Sequence, residues 1–334
     1  MHFVDAAVAR LAPALRRRVL ADAGIPAHLL QAREARVASA SFAALWLAVA
    51  NAIDDEFFTL DRRRMKVGSF ALLCHAALPC GTLERALPQI LRGFAVFLDD
   101  VAGEFAIDRG QALITVRNRI QDPADRRFAD ETFLVMVHGL MYWLVGKRIA
   151  LSAVEFAHAR PAHAPEYALM FCENQSFDQP ASGIRLDARL LRAPVVQNAR
   201  SLKTFLRTAP QSVFLRYRNQ DSWTARVRRR LRGGLDGLEW PVLDTMARDL
   251  HLAPATLRRR LEAEGSSYQG IKDQLRRDAA INHLCSSGLA IAEIGRRVGF
   301  QETSAFHRAF KKWTGVRPGE YRQGQLEQPS IGGP

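Results

Sequence analysis

IAEIGRRVGFQETSAFHRAFKKWTGVRPGEYR, residues 291–322, reads as helix, tight turn, helix. Ile291 and Ile294 give the first helix an apolar face, and Gly299 breaks the run. In the second helix Phe306, Phe310 and Trp313 recur at spacings of four and three, which puts three aromatics on one buried stripe. Ser304, His307, Arg308 and Lys311 fall on the opposite face. That face is polar, basic and rich in hydrogen-bond donors. A helix with an apolar back and a donor-rich front, held by a preceding short helix, suits reading of the DNA major groove.

The pattern Ile291-Ala-x-Ile294-x-x-x-x-Gly299-Phe300, then Phe306-x-Arg308-x-Phe310-Lys311, then Gly315-x-x-Pro318-x-x-Tyr321-Arg322 resembles the signature of the AraC/XylS family of bacterial transcription regulators. An ordinary helical hairpin with basic exposed residues does not explain why the aromatic stripe, the turn glycine and the Gly–Pro–Tyr exit occur together. The resemblance implies an all-α DNA-binding module with two helix–turn–helix units joined by a long helix. It also implies double-stranded promoter DNA and RNA polymerase as partners.

Composition is consistent with this. A chain of 334 residues with 48% hydrophobic residues is long enough for two domains, each with a core. The net charge of +13 points to an anionic partner. The charge is unevenly spread. Over 223–322, 19 Lys and Arg stand against 11 Asp and Glu, whereas the other 234 residues hold 28 against 23. Cys74, Cys80, Cys172 and Cys285 are dispersed, with no C-x-x-C pair, so neither a disulfide framework nor a zinc site is expected. The pattern suits a reducing cytoplasm. Arg10, Arg16, Arg17 and Arg18 interrupt any signal-peptide core. The longest uncharged run, Val37–Ile53, is shorter than the roughly 20 residues a membrane helix needs, and a buried helix is the better reading.

Along the chain, residues 1–24 read as helical, ending at Gly24, with a short helix at Leu29–Arg33. Further helices are expected at Ser41–Ile53 (Ser39 or Ser41 capping), Phe70–Leu78 and Leu83–Asp99. Val101–Arg109 and Gln111–Asn118 form a β-hairpin around Gly110. Asp130–Gly146 is a long apolar helix, Ala153–Ala157 a strand, Ala164–Phe171 a helix and Gly183–Asp187 a short strand. Together these make an α+β domain over residues 1–200. Its layout, with the phrases Leu20-Ala-Asp-Ala-Gly24 and Phe156-Ala-His158-x-x-Pro161, resembles the arabinose-binding-like sensor domain of one subgroup of the same family. Residues 201–237 read as a linker region containing a helix at Ser222–Arg232 and a flexible joint at Gly233–Gly237. The DNA-binding module spans 238–324, and 325–334 a disordered tail.

By position in the resembling motif, base-facing places fall on Ala255, Arg258 and Arg259 in the first unit, and on Ser304, His307 and Arg308 in the second. Arg296 and Arg297 are expected at phosphates, and Lys311 completes the basic face. Two reading helices in one monomer predict an asymmetric site of two short boxes roughly 10 bp apart. The first unit departs from the pattern twice. Ala253 stands where a capping Ser is frequent, and His251 where the turn prefers Gly.

No catalytic signature appears: there is no G-x-S-x-G, phosphate loop or dinucleotide fingerprint, and no cofactor is expected. His158, His163 and Glu166 lie close together, but their spacing does not match H-E-x-x-H, and the segment reads as a polar loop. Asp99-Asp100 reads as a solvated turn. Phe57, Phe58, Arg62, Arg63, Arg64 and Lys66 form either a solvated basic loop or a site for an anionic metabolite. Three functional readings remain. The first is an effector-responsive regulator, an activator by analogy with the resembling family and a homodimer by default. The second is a ligand-independent regulator whose N-terminal domain serves only dimer contacts. The third is a DNA-repair protein carrying the same module, against which the dispersed cysteines argue.

Overall fold

Local chemistry sets the ends of the elements in this computed structural model, which describes residues 1–31, 37, 39–147, 149–210, 223–232, 240–263 and 266–326. The chain forms two units. One comprises 2–23 with 42–217; the other comprises 218–334 with 24–41 and Met1.

The first unit contains α1 (His2–Val8), α2 (Pro13–Asp22), α3 (Ser39–Ile53, its first turn shared with the other unit), α4 (Ser69–Ala77) and α5 (Leu83–Phe97). It continues with β1 (Val101–Asp108), β2 (Gln111–Asn118), α6 (Pro123–Val145), β3 (Leu151–Glu155), α7 (Ala164–Met170), β4 (Gln175–Ser176), β5 (Ser182–Asp187) and α8 (Ala199–Thr208). Residues 1–24 are thus two helices rather than the one expected. Pro13 cannot donate to the preceding turn and instead starts α2. The long apolar helix begins earlier than its apolar period suggests, because the Asp122 carboxylate accepts the N–H groups of Ala124 and Asp125, both at 2.9 Å.

The sheet order is β1-β2-β5-β3-β4, antiparallel except for the β3/β4 pair. The expected hairpin is present. Arg109 and Gly110 both have positive φ, +45° and +77°, the signs a two-residue type I′ turn requires. Ala112, Ile114 and Val116 point inward from β2 and are buried. α5 packs on β1, and α6 on β2 and β5. Phe94 and Phe133 meet between the helices at 4.9 Å. β1 approaches so closely that a Cβ on Gly103 would lie 2.9 Å from the Phe133 ring. By length and composition α6 could cross a membrane, yet its apolar window is wholly buried inside the unit, with Asp130, Glu131 and His138 among its residues.

The other unit is helical: α9 (Trp223–Arg232), α10 (Leu243–Asp249), α11 (Pro254–Ala263), α12 (Tyr268–Ser286), α13 (Ile291–Arg297), α14 (Thr303–Thr314) and α15 (Pro318–Leu326). α9, read from sequence as part of a linker, is built into the core. Its Val227 and Leu231 pack with Met246, Ala247, Leu250, Leu257, Leu261, Ile271 and Leu275. The run Arg228-Arg-Arg-Leu-Arg232 looks like a solvated connector, but the two aliphatics four apart form one inward stripe. On α12 the inward set is Tyr268, Ile271, Leu275, Ala280, Ile281 and Leu284. α15 has no counterpart in the sequence reading, which saw only a Gly–Pro–Tyr exit. Pro318 opens it and Tyr321 anchors it, buried against Phe310 at 5.6 Å. A 3-10 turn at Ala27–Gln31 lies against α15, with Ile25 and Leu29 buried. The glycine joint 233–237, and the tail from 327 onward, lie outside the described residues.

Candidate nucleic-acid interface

The two short helix pairs of the helical unit, α10/α11 and α13/α14, have the same turn. In the first, His251 N–H donates to Arg248 O and Leu252 N–H to Ala247 O, both at 2.9 Å. In the second, Gly299 N–H donates to Arg296 O and Phe300 N–H to Gly295 O, again both at 2.9 Å. This is one Schellman-type exit used twice. The left-handed residue is Gly299 at φ +84° in one copy and His251 at φ +55° in the other. His251 therefore occupies the position where sequence reading anticipated a glycine conformation, at a backbone cost of about 1 kcal/mol. The small residue at the pair contact repeats too. A Cβ on Gly295 would lie 3.1 Å from the Cβ of Phe306, so α13 and α14 touch almost at backbone.

Each second helix buries one face. Leu257 and Leu261 of α11 are buried, as their spacing predicts. Phe306 and Phe310 of α14 are fully buried, and Trp313 is half-buried beside Phe300 at 5.8 Å. The opposite faces carry the sequence candidates. Ala255, Arg258 and Arg259 are exposed on α11, and Ser304, Arg308 and Lys311 on α14, with His307 half-buried between them. Arg258, Arg259, Arg308 and Lys311 have no ion-pair partner among the described residues. Ser304 Oγ donates to Glu302 at 3.2 Å. Arg296 and Arg297 are exposed at the end of α13, and both pair with Glu293, at 2.6 and 3.1 Å.

Other arginines of this unit are used in packing. Arg260 and Arg226 flank the Trp223 ring at 4.3 and 4.2 Å. Arg276 of α12 lies 5.3 Å from both the Trp240 and the Phe300 rings, bridging the segment before α10 to the turn of the second pair. Burial lowers its pKa. Sequence reasoning counted all of these as general positive charge; their aromatic partners are not visible from spacing alone.

In the α/β unit the basic loop and the acidic pair satisfy each other. Arg62 hydrogen-bonds Asp100, and Arg63 lies 3.7 Å from Asp99. The Arg62 contact lowers the Asp100 pKa. Phe57 and Phe58 are buried. The reading of this loop as an anion site loses its two best cations to these partners.

A cavity of about 220 Å³ lies elsewhere in the unit, lined by Trp46, Ala50, Phe70, Met136, Leu206 and other mostly apolar groups. Its acidic residue is Glu56. That carboxylate accepts Gly68 N–H at 2.9 Å and Phe70 N–H at 2.7 Å, capping α4, and burial raises its pKa against those hydrogen bonds.

A polar cluster that sequence reading missed sits between α1, α6 and α7. Glu131 is fully buried, with His2 Nε2 at 3.3 Å and His163 Nε2 at 3.6 Å from its oxygens. Tyr167 Oη donates to the same carboxylate, and His163 Nε2 lies 3.0 Å from that hydroxyl. Burial opposes the charge of Glu131, but the hydrogen bonds from His163, His2 and Tyr167 overcome it and hold its pKa at about 2. His163 therefore belongs with Glu131, not with His158 and Glu166. The one sequence signal was an acidic pair, Asp130-Glu131, inside an apolar helix.

Comparison with known proteins yields two family matches. Residues 15–195 match the arabinose-binding domain of AraC transcription regulator, N-terminal, and residues 246–324 match a helix-turn-helix domain. The chain is 29% identical over 263 residues to the ornithine utilization regulator of Pseudomonas aeruginosa, covering 78% of this chain and 76% of that one. It is 37% identical over 98 residues to the HTH-type transcriptional regulator VqsM of the same organism, covering 29% and 30% of the two chains. The crystal structure of transcriptional regulator CdpR from Pseudomonas aeruginosa aligns over 92% of this chain and 96% of that one, at 22% identity and a TM-score of 0.32.

Proposed function

The chain belongs to the AraC family of transcription regulators, and from that premise we propose that it is a sequence-specific transcriptional activator controlled by a small molecule bound in its N-terminal unit. The repeated turn, 247–252 and 295–300, is the observation that carries the DNA-binding part. Identical exits aim α11 and α14 away from their partner helices, each with a buried apolar back and unpaired cations in front. In this reading α10/α11 and α13/α14 are two helix–turn–helix units, α12 joins them, and both recognition helices enter successive major grooves of promoter DNA. Arg258, Arg259 and Arg308 read guanine edges or grip phosphate, with Ala255, Ser304 and His307 beside them. Lys311, Arg296 and Arg297 hold phosphates, the two arginines by exchanging Glu293 for DNA. The protein acts in the cytoplasm as a homodimer that contacts RNA polymerase.

The test is occupancy mapping across the genome, followed by binding to the strongest site at two salt concentrations. A shared two-box motif beside a few operons is expected. Arg308→Ala and Arg258→Ala should each weaken binding by about 1–3 kcal/mol and relax specificity at one base position, whereas Lys311→Ala should weaken all sequences alike and lower the salt slope by about one. Diffuse occupancy without a motif, and equal effects of all three variants, would sink sequence-specific reading.

Effector control rests on the apolar cavity. Engineered apolar cavities of about 150 Å³ take benzene, so one of about 220 Å³ has room for a somewhat larger apolar molecule whose polar end meets Glu56. A saturating effector, at a hundred times its Kd, should stabilise the protein by about 2.7 kcal/mol in thermal unfolding. A second reading has its own observation. Leu47 on α3, Val67 just before α4 and Leu72 on α4 are 45%, 46% and 60% exposed, and they would suit a dimer contact that needs no ligand. A chemically broad panel that produces no thermal shift, with the protein dimeric throughout, would favour it.

A further inference from the structure

We propose that His2, Glu131 and His163 form a binding site for one divalent transition-metal ion of the zinc class in the N-terminal unit. The three residues come from three different helices, α1, α6 and the N-terminal edge of α7, and their donor atoms all lie within 4.8 Å of one another. Two of the separations, 3.3 and 3.6 Å, are measured from the two imidazole Nε2 atoms to the carboxylate oxygens. Ligands about 2.0–2.2 Å from a tetrahedral zinc stand about 3.4 Å apart. The edges on either side of Glu131 are thus close to those around a shared ion, and binding needs the two imidazoles, stacked at 3.7 Å and 14°, to splay so that each Nε2 lone pair aims at it.

The donor chemistry selects the class. Two imidazole nitrogens with one carboxylate suit zinc, copper, nickel or ferrous iron, and do not suit calcium or magnesium, which take oxygen shells. Tyr167 shares the donor side of the cluster: its hydroxyl donates to Glu131 and lies 3.0 Å from His163 Nε2, the atom offered to the ion, so binding moves that hydroxyl off the imidazole. Access comes from the histidine side, where His2 and His163 keep 19% and 15% of their side-chain surface while Glu131 keeps none.

Because α1 contributes His2 from its first turn, the ion would also clamp the N-terminal helix to the core helix α6.

The site is independent of the DNA-binding reading, and the test uses the full chain with no affinity tag. Metal-stripped protein is titrated with zinc against a chromophoric chelator, and with cobalt for its ligand-field spectrum. One ion per chain is expected, with a tetrahedral or five-coordinate cobalt spectrum and a raised melting temperature. His2→Gln and His163→Gln should each weaken binding at least tenfold, while the exposed His75→Gln leaves it unchanged. Both rim histidines are partly exposed, so their variants keep the fold even if Glu131→Gln does not. Absence of stoichiometric binding overturns the proposal. So does binding that survives both rim variants, which would place the ion elsewhere.

Discussion

Phe306→Ala is expected to abolish specific DNA binding although Phe306 faces away from the groove in the proposed complex. The ring is fully buried and is central to the second helix pair. It meets Phe300 and Phe310, each at 5.7 Å, and its Cβ sits over Gly295 on α13. Deleting a buried phenylalanine costs about 3–5 kcal/mol when the surroundings cannot collapse, and here collapse is blocked. α13 and α14 are already in near-backbone contact at Gly295, so neither helix can move closer to fill the hole. Against a domain stability of about 5–15 kcal/mol this loss is large. Hydrogen exchange should show amide protection falling in α13 and α14, with α6 unaffected. Arg308→Ala supplies the contrast. It removes an exposed cation and should weaken DNA binding with no change in exchange. If Phe306→Ala keeps wild-type protection and loses only DNA affinity, the aromatic stripe is not the internal support assigned to it.

That stripe was legible because it obeys a one-dimensional rule. Helical periodicity, a turn glycine and a proline start are local facts, and the same holds for the Arg109–Gly110 hairpin. Even the left-handed His251 could be anticipated from its place in the repeat. What stayed hidden was any feature defined by a distant partner. Glu131 is one carboxylate in an apolar helix until the fold brings His2 from 129 residues away. Arg62 and Asp100 looked like two separate surface features, and 38 residues of intervening chain concealed that they are one. Arg226 and Arg260 added to a charge count, whereas the fold stacks them on Trp223. α9 read as a connector because its arginines outnumber its two core aliphatics. The short β4 is held by its neighbour β3, and two residues carry no period of their own.

Asp61→Ala is expected to cost the N-terminal unit about 3–5 kcal/mol, more than loss of any of the exposed Arg–Asp pairs around it. Asp61 is buried, and its two oxygens accept four backbone N–H groups: Arg63 at 2.9 Å, Asp99 at 3.0 Å, Asp100 at 2.7 Å and Val101 at 3.1 Å. Three of the donors form the junction between α5 and β1, so one carboxylate ties the 60–66 loop to the start of the sheet. Alanine leaves these donors without an acceptor, and each buried orphan costs about 1–3 kcal/mol less whatever water recovers. The neighbouring Arg62–Asp100 contact has better-looking geometry, but the Arg62 side chain is 65% exposed, and surface pairs of that kind contribute about 0–1 kcal/mol. Urea unfolding should therefore rank Asp61→Ala well below Arg62→Ala, with Asp61→Asn between them because its single oxygen accepts only part of the set. If Asp61→Ala unfolds within about 0.5 kcal/mol of Arg62→Ala, the junction is held by packing of Val101 and Leu98, and the buried carboxylate is incidental to it.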